Sequence, residues 1–357
     1  MATIAANPPV RLARPALAGV VLAGLLALSV LLNLRFGAVP ISTADMLDAL
    51  GLRALGLGEG DAGNVMVLRE IRLPRLLSAL AVGATLALAG AALQALFRNP
   101  LAEPGLLGVS TGAAMGAAVW FVFGAALLAP LVAIAWLQPF LLPGLAFLGA
   151  LLAILAVLSL GRRGGPGATV LMLLVGIGVN AIGAAVIGLA TFMGTDTEMR
   201  ALSIWLLGSF AQVEWPVLGP ALLLMALAAF GLMRTARLLD LLALGEAEAR
   251  HLGIDTDRLR RRLGLLTAVA VGAAVSISGI IGFVGLVVPH MVRLAVGPAH
   301  RALMPLAALG GALALSAADL VGRLIALPAE VPVGIVTALV GAPLFIAMLL
   351  KNARGLS

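Results

Sequence analysis

The feature that most restricts this chain is the return, about ten times, of apolar runs near the length that spans a bilayer. A hydrocarbon core of ~30 Å is crossed by roughly 20 residues of α-helix. The runs read as spans at Pro15–Leu34, Leu76–Phe97, Leu106–Ala126, Phe140–Leu160, Ala168–Met193 and Pro216–Met233. After a polar segment come Leu263–Ile281, a shorter Gly285–Leu294, Leu303–Leu324 and Val333–Leu350. Composition agrees: 62% of residues are hydrophobic and 11% charged, where a soluble domain carries about a quarter charged residues. The pattern predicts an all-α membrane protein of about ten transmembrane helices, one domain over residues 1–357.

The charges fit those spans. The net charge is +7, from 23 Lys and Arg against 16 Asp and Glu, and Lys351 is the one lysine. Such a surplus can bind nucleic acid, but here the arginines stand between apolar runs and form no basic face. They fall where loops on the cytoplasmic side retain positive residues. An even number of spans puts both termini on one side. Arg11, Arg14, Arg98, Arg162, Arg163, the cluster from Arg234 to Arg262, Arg293, Arg301, Lys351 and Arg354 share it, so both termini are read as cytoplasmic. The exception is residues 35–75, with five arginines on the outside beside Asp45, Asp48, Glu59, Asp61 and Glu70. Arg11 and Arg14 resemble the start of a signal peptide. The run that follows continues to Leu34 without a small-residue cleavage site, so it reads as an uncleaved first span. The absence of cysteine excludes disulfides, Fe–S clusters and thiol chemistry.

Function is expected in the polar interruptions. In Arg234–Arg262, Leu244-Gly245 and Leu252-Gly253 bracket a short helix, Glu246–His251. Its acids come first and Arg250 and His251 last, which suits the helix dipole. A glycine-bounded helix in a cytoplasmic loop is a shape a partner protein can grip; the plainer reading is a solvated loop. Between the second and third spans, Arg98 to Gly105 holds two prolines and a glycine that prevent a helix. Gln94, one turn earlier, needs a cavity or a partner inside the membrane. On the outer side Arg72, Arg75 and Arg323 are fixed cations able to receive a docking protein's carboxylates, or arginines that snorkel to headgroups. Asp319 could pair with Arg323 at i,i+4. Gly83, Ala87, Gly90 and Ala91, and Gly112, Gly116 and Ala117, form small-residue faces for close helix packing.

Other classes find less support. There is no internal repeat and no chain of acids and histidines across the bilayer such as an ion-coupled secondary transporter needs. His251, His290 and His300 are scattered and make no metal site. Ser276 and Ser278 are not spaced to pair with His290 as an intramembrane protease would require. A G-x-x-x-x-G-K-[ST] phosphate loop cannot form where the one lysine is Lys351. No catalytic residue, metal or cofactor is therefore expected on this chain.

Several motifs occur together in order: Arg72-Leu73-Pro74-Arg75, Gly90 and Gln94, Asn99-Pro100-Leu101-Ala102 with Pro104 and Gly108, Trp205-Leu206-Leu207-Gly208-Ser209, and the Leu244–Gly253 segment. They continue with Gly282-Phe283-Val284-Gly285-Leu286, Pro289-His290, Pro332-Val333-Gly334 and Gly341-Ala342-Pro343. From about Val65 to Lys351 the chain thereby resembles the permease subunit of type II ABC importers for iron-siderophores, haem and cobalamin. The resemblance implies a homodimer in the bacterial inner membrane, bound to two cytoplasmic subunits that carry the ATP and Mg, and served by a periplasmic binding protein.

In a coupling segment of about residues 237–262, the resemblance assigns ATPase docking to Leu244, Gly245, Glu246, Ala249, Arg250, Leu252 and Gly253. It assigns binding-protein docking to Arg72, Arg75 and Arg323, and the cytoplasmic gate to Asn99, Leu101 and Thr169, although residues 164–167 depart from the family pattern. Gly178-Val179-Asn180-Ala181-Ile182 and Met199-Arg200 look more like haem permeases than cobalamin ones. Arg200 could meet a haem propionate at the outer mouth, or pair with Asp196. With no tyrosine, and no histidine placed to ligate iron, the path is expected to pass the chelate without coordinating it. Import of a ferric siderophore or of cobalamin is the alternative.

Overall fold

A computed structural model describes residues 13–51, 60–161, 163–164 and 168–354. Arg11, Arg53, Glu59 and Arg162, and residues 165–167, lie outside the described residues. The described residues form helices α1 (Ala13–Arg35), α2 (Thr43–Ala49), α3 (Ala62–Val67), α4 (Leu73–Leu96), α5 (Val109–Leu127), α6 (Ala129–Val132), α7 (Gln138–Gly161) and α8 (Ala168–Met193). They continue with α9 (Asp196–Leu206), α10 (Trp215–Met233), α11 (Ala236–Leu242), α12 (Glu246–His251), α13 (Thr256–Ser278), α14 (Val284–Val296), α15 (His300–Leu324) and α16 (Val333–Arg354). Seven helical stretches are long and apolar enough to cross a membrane, and α5, α14 and α16 supply three shorter apolar helices. All ten expected spans are present.

Where boundaries differ from expectation, capping explains it. α13 starts seven residues earlier than its apolar run because Asp255 caps it, accepting the Arg258 N–H at 2.8 Å. The arginine-rich first turns are thus helix and not loop. α4 continues backward through a π-helical turn, Leu68–Arg72, into α3. α9 was not expected, since its composition is polar. Its capping box, Thr195 with Glu198 at N3, was nonetheless written in the sequence. α2 has the same device in Ser42 and Asp45.

The spans alternate in direction and define two faces. One holds α11 and α12 with the ends of α4 and α10 and the starts of α13 and α15; we call it the α12 face. The other, the cluster face, holds Arg72, Arg75 and Arg323, the end of α1, the start of α4 and the end of α15. Most of α4 is buried, with Leu88 and Leu93 almost fully enclosed. α8 and α16 instead expose Val170, Leu174, Ile177, Phe192, Leu339 and Ile346, side chains that only an apolar surrounding favours.

Helices in lipid approach closely through small residues, because lipid tails give no hydrophobic drive to association. A Cβ added at Gly83 of α4 would lie 2.2 Å from the Gly311 carbonyl of α15, and one at Gly311 lies as close to Gly83 O. Gly90 packs just as tightly against the Gly285 backbone at the start of α14. Gly83→Ala therefore forces two backbones apart and should cost about 2 kcal/mol or more. Thermal unfolding in detergent checks this, with Gly24→Ala on α1, where nothing lies within 4 Å, as the neutral control.

Next to the cluster face, the Asp45 carboxylate accepts from the N–H groups of Ser42 and Asp61 at 2.8 Å and from the Asn64 amide at 3.0 Å. These bonds, Ser42 foremost, hold it at about 2, below the ordinary 3.8. A depressed carboxylate gives stability that is present above its unfolded value and lost as pH falls through the folded one. Protection of the Ser42 and Asp61 amides, taken as exchange relative to the intrinsic rate at each pH, should therefore fall as pH drops from 3.8 toward about 2, and Asp45→Asn should abolish that fall.

Candidate functional site

The cluster face is organised around Asp319, near the end of α15 and 2% exposed. The Arg75 guanidinium meets it through Nε at 3.0 and 3.1 Å and Nη2 at 2.9 Å. Arg323, one turn on, places Nε 3.2 Å from its other oxygen. The expected Asp319–Arg323 pairing thus forms. Arg75 also donates to Glu330, in the turn before α16, at 2.7 Å. Arg323 donates to Asn33 of α1 and, at 3.4 Å, to the Phe36 carbonyl. Arg72 donates to the Leu34 and Val39 carbonyls.

The three arginines were expected as exterior cations that receive a docking protein's carboxylates or snorkel to headgroups, and here the geometry differs. Each is 5–7% exposed and committed to internal partners. The reason is that a guanidinium has five donors in a fixed fork, and this face supplies two carboxylates and several helix-end carbonyls within reach. Glu330 and Asn33 were missed. Glu330 carried no pattern, while Asn33 and Ser29, polar within the first span, were the available sign. Ser29 bonds Ser316 at 2.8 Å, and Asn33 donates to the Ser316 carbonyl at 3.1 Å.

At the α12 face the short helix forms over Glu246–His251, as expected. Gly245 and Gly253 both take positive φ, 142° and 83°, where a Cβ is disfavoured. Glu246 ties the helix to the first turns of α13: one carboxylate oxygen accepts from Arg250 at 2.8 Å, Arg260 at 3.0 Å and Thr256 at 3.3 Å. Arg250 also bonds the Thr256 hydroxyl at 2.9 Å. Ala249 is fully buried beneath, while Leu244 and Leu252 are 64% and 59% exposed on either side. The result is a rigid hairpin that presents two aliphatic side chains outward.

The break after α4 is a folded turn. The Asn99 side chain accepts the Leu101 N–H at 2.9 Å. Gln94 finds its partner in the Leu286 carbonyl at 3.0 Å. Glu103 accepts the Phe283 N–H at 3.1 Å, fixing the turn to the start of α14. Asn180 of α8 accepts from Thr111 at 2.6 Å and donates to the Gly105 carbonyl at 3.1 Å, so it supports this turn from inside. Asn99, Leu101 and Thr169 all lie at the α12 face: Asn99 is exposed, and Leu101 and Thr169 are half-buried. Arg200, on α9, lies at the opposite end of the bundle, exposed and without a hydrogen-bond or ion-pair partner among the described residues; the Asp196 pairing does not form. The hydroxyls of Ser276 and Ser278 donate to carbonyls of their own helix, Ala273 at 3.0 Å and Ala274 at 2.9 Å.

Ten apolar helices, a locked polar cluster at one end and a glycine-bounded hairpin at the other define a multi-pass membrane protein. Comparison with known proteins sharpens the class. The sequence matches the FecCD transport family over residues 25–351. The hemin transport system permease protein HmuU of Yersinia pestis is 43% identical over 293 residues, covering 79% of this chain and 83% of its own. The vitamin B12 import system permease protein BtuC of Vibrio cholerae is 44% identical over 283 residues, covering 79% and 82%. A solved inward-facing structure of a metal-chelate type ABC transporter superposes with a TM-score of 0.80 at 32% identity, over 94% of this chain and 99% of that one. The chain belongs to the FecCD transport family and is a permease subunit of the type II ABC importer class.

The Asp319 cluster yields a stability test. Arg75→Met leaves Glu330 without its cation and Asp319 with half its neutralisation, and should cost about 3 kcal/mol or more. Arg75→Lys keeps the charge but not the fork and should recover only part of that. Thermal unfolding of the detergent-solubilised protein measures both.

Proposed function

We propose that this chain is the membrane-spanning half of a haem importer, working as a homodimer with two cytoplasmic ATP-binding subunits and a periplasmic binding protein. The observation that carries the substrate is the likeness, 43% identity over 293 residues, to a hemin permease. A second reading, cobalamin, is favoured by the comparable likeness to a vitamin B12 permease. In this proposal the chain lies in a bacterial inner membrane with the α12 face, and both termini, toward the cytoplasm. The supporting pattern is the gathering of Arg98, Arg163, the Arg234–Arg262 arginines, Arg293 and Arg301 around that face. ATP and Mg belong to the partner subunits, and this chain contributes no catalytic group.

The α12 hairpin is the surface the ATPase grips. Leu244 and Leu252 are the aliphatic anchors, while Gly245, Glu246, Ala249, Arg250 and Gly253 hold them at a fixed angle. Buried aliphatic anchors dominate such interfaces. Asn99, Leu101 and Thr169 form the gate on the same side. Arg72, Arg75 and Arg323 underlie the surface where the binding protein lands, Glu330 being the 40%-exposed partner that an incoming carboxylate would replace on Arg75. Arg200, unpartnered at that end, is available to a propionate.

Reconstitution of permease, ATPase subunit and binding protein in liposomes tests this. ATP-dependent accumulation of haem, and not of cobalamin or a ferric siderophore, is the expected result, with Arg200→Ala reducing haem uptake by about tenfold. Cobalamin uptake would select the second reading. Uptake driven by an ion gradient without ATP would discard the importer itself. Leu252→Asp should weaken retention of the ATPase subunit by about 2 kcal/mol, read by co-purification at graded concentrations.

A further inference from the structure

α4 and α15 are fastened together at both ends of the bundle. At the cluster face, Arg75 of α4 holds Asp319 of α15 through three contacts of 2.9–3.1 Å. Along their length, Gly83 and Gly311 set backbone directly on backbone, so neither helix can slide past the other without separating. At the α12 face both helices are fixed to the same seven-residue helix, α11. One Asp240 oxygen accepts the His300 N–H at 2.6 Å and faces His300 Nδ1 at 2.9 Å. The carboxylate thus caps α15 and also grips its first side chain, which is 6% exposed. Arg98, just past α4, donates Nη2 to the Leu242 carbonyl of α11 at 3.2 Å. A link of three residues then joins α11 to α12.

We propose that α4 and α15 form one strut that carries displacement of the α12 hairpin to the arginine cluster, with Asp240 as the positioning residue that engages it. The proposal rests on the importer function given above. The physical case is continuity of stiff contacts. α15 has 25 residues, so at 1.5 Å per residue a push at Asp240 arrives at Asp319 and Arg323 about 30 Å away. There it bears on every element the cluster holds: α1 through Asn33, and the turn before α16 through Glu330. α10, which leads into α11, offers no equivalent route, since at the cluster face its Trp215 meets the Arg69 carbonyl, outside the Asp319 cluster. Coupling between two sites is reciprocal, so docking at the cluster face returns to α11 along the same strut.

The test uses the full complex in liposomes and reads the factor by which binding protein stimulates ATP hydrolysis. Asp240→Asn keeps an oxygen for the His300 N–H and removes the charge that grips the ring. The expected outcome is a fall in stimulation of about tenfold, with the ATPase subunit still co-purifying and Asp240→Glu restoring most of the effect. Stimulation at the wild-type level in Asp240→Asn overturns the strut and leaves the importer reading standing. Absence of stimulation in the wild type overturns that reading and the strut with it. Should Asp240→Asn fail to assemble, the chain's lack of cysteine allows spin labels at Arg237→Cys and Ile325→Cys in the otherwise unaltered protein. Their separation should hold within about 2 Å on ATP binding, while each moves relative to a label at Val170→Cys on α8. A larger change between the strut labels overturns the proposal.

Discussion

The arrangement at the cluster face depends on one carboxylate. Asp319 sits between two guanidiniums, and each guanidinium spends its remaining donors on a different element. Arg75 reaches Glu330 before α16, and Arg323 reaches Asn33 in α1. Arg72 adds the Leu34 and Val39 carbonyls. A charge this deeply buried is tolerated only when it is paired and its donors are satisfied. Removing Arg75 leaves Glu330 without an ion-pair partner, and removing Asp319 does the same to Arg323, so the ionic core acts as a unit. That unit fixes the ends of α1, α4 and α15 and the turn into α16.

The opposite face is built on another principle. There the ionic contacts around Glu246 are partly exposed, the Glu246 and Arg250 side chains being 37% and 56% exposed, and screened contacts of that kind add little stability. Their use is geometric. They hold a six-residue helix, too short to persist alone, at one angle to α13, between two glycines whose backbone few other residues could adopt. One face is stabilised inwardly and the other is shaped for an outside partner, and α4 and α15 join them through a backbone-on-backbone contact at Gly83 and Gly311.

Much of this was legible in the sequence, though unevenly. The ten spans were readable because a bilayer imposes a length that the apolar runs display. The hairpin over Glu246–His251 was readable because Gly245 and Gly253 bracket it and its charges follow the helix dipole. α9 could have been found from Thr195 and Glu198, but its polar composition masked it. The early start of α13 could likewise have been read from Asp255. The orientation of Arg72, Arg75 and Arg323 could not. An arginine beside a membrane has similar local context whether it faces water or turns inward, and its partners here lie up to 290 residues away in the chain.

The sequence by itself therefore determined the class of fold, the number and alternation of spans, the side on which positive charge gathers and the place of the hairpin. All of these are local properties of length, hydropathy and capping. Only the tertiary structure decided that Gln94 answers the Leu286 carbonyl, that Asn180 supports a turn, that the outer arginines close on Asp319 and Glu330, and that Asp240 caps α15. These are pairings between distant segments. They arise because a buried polar group must find a partner, and which partner it finds is set by which helices the glycine contacts bring together.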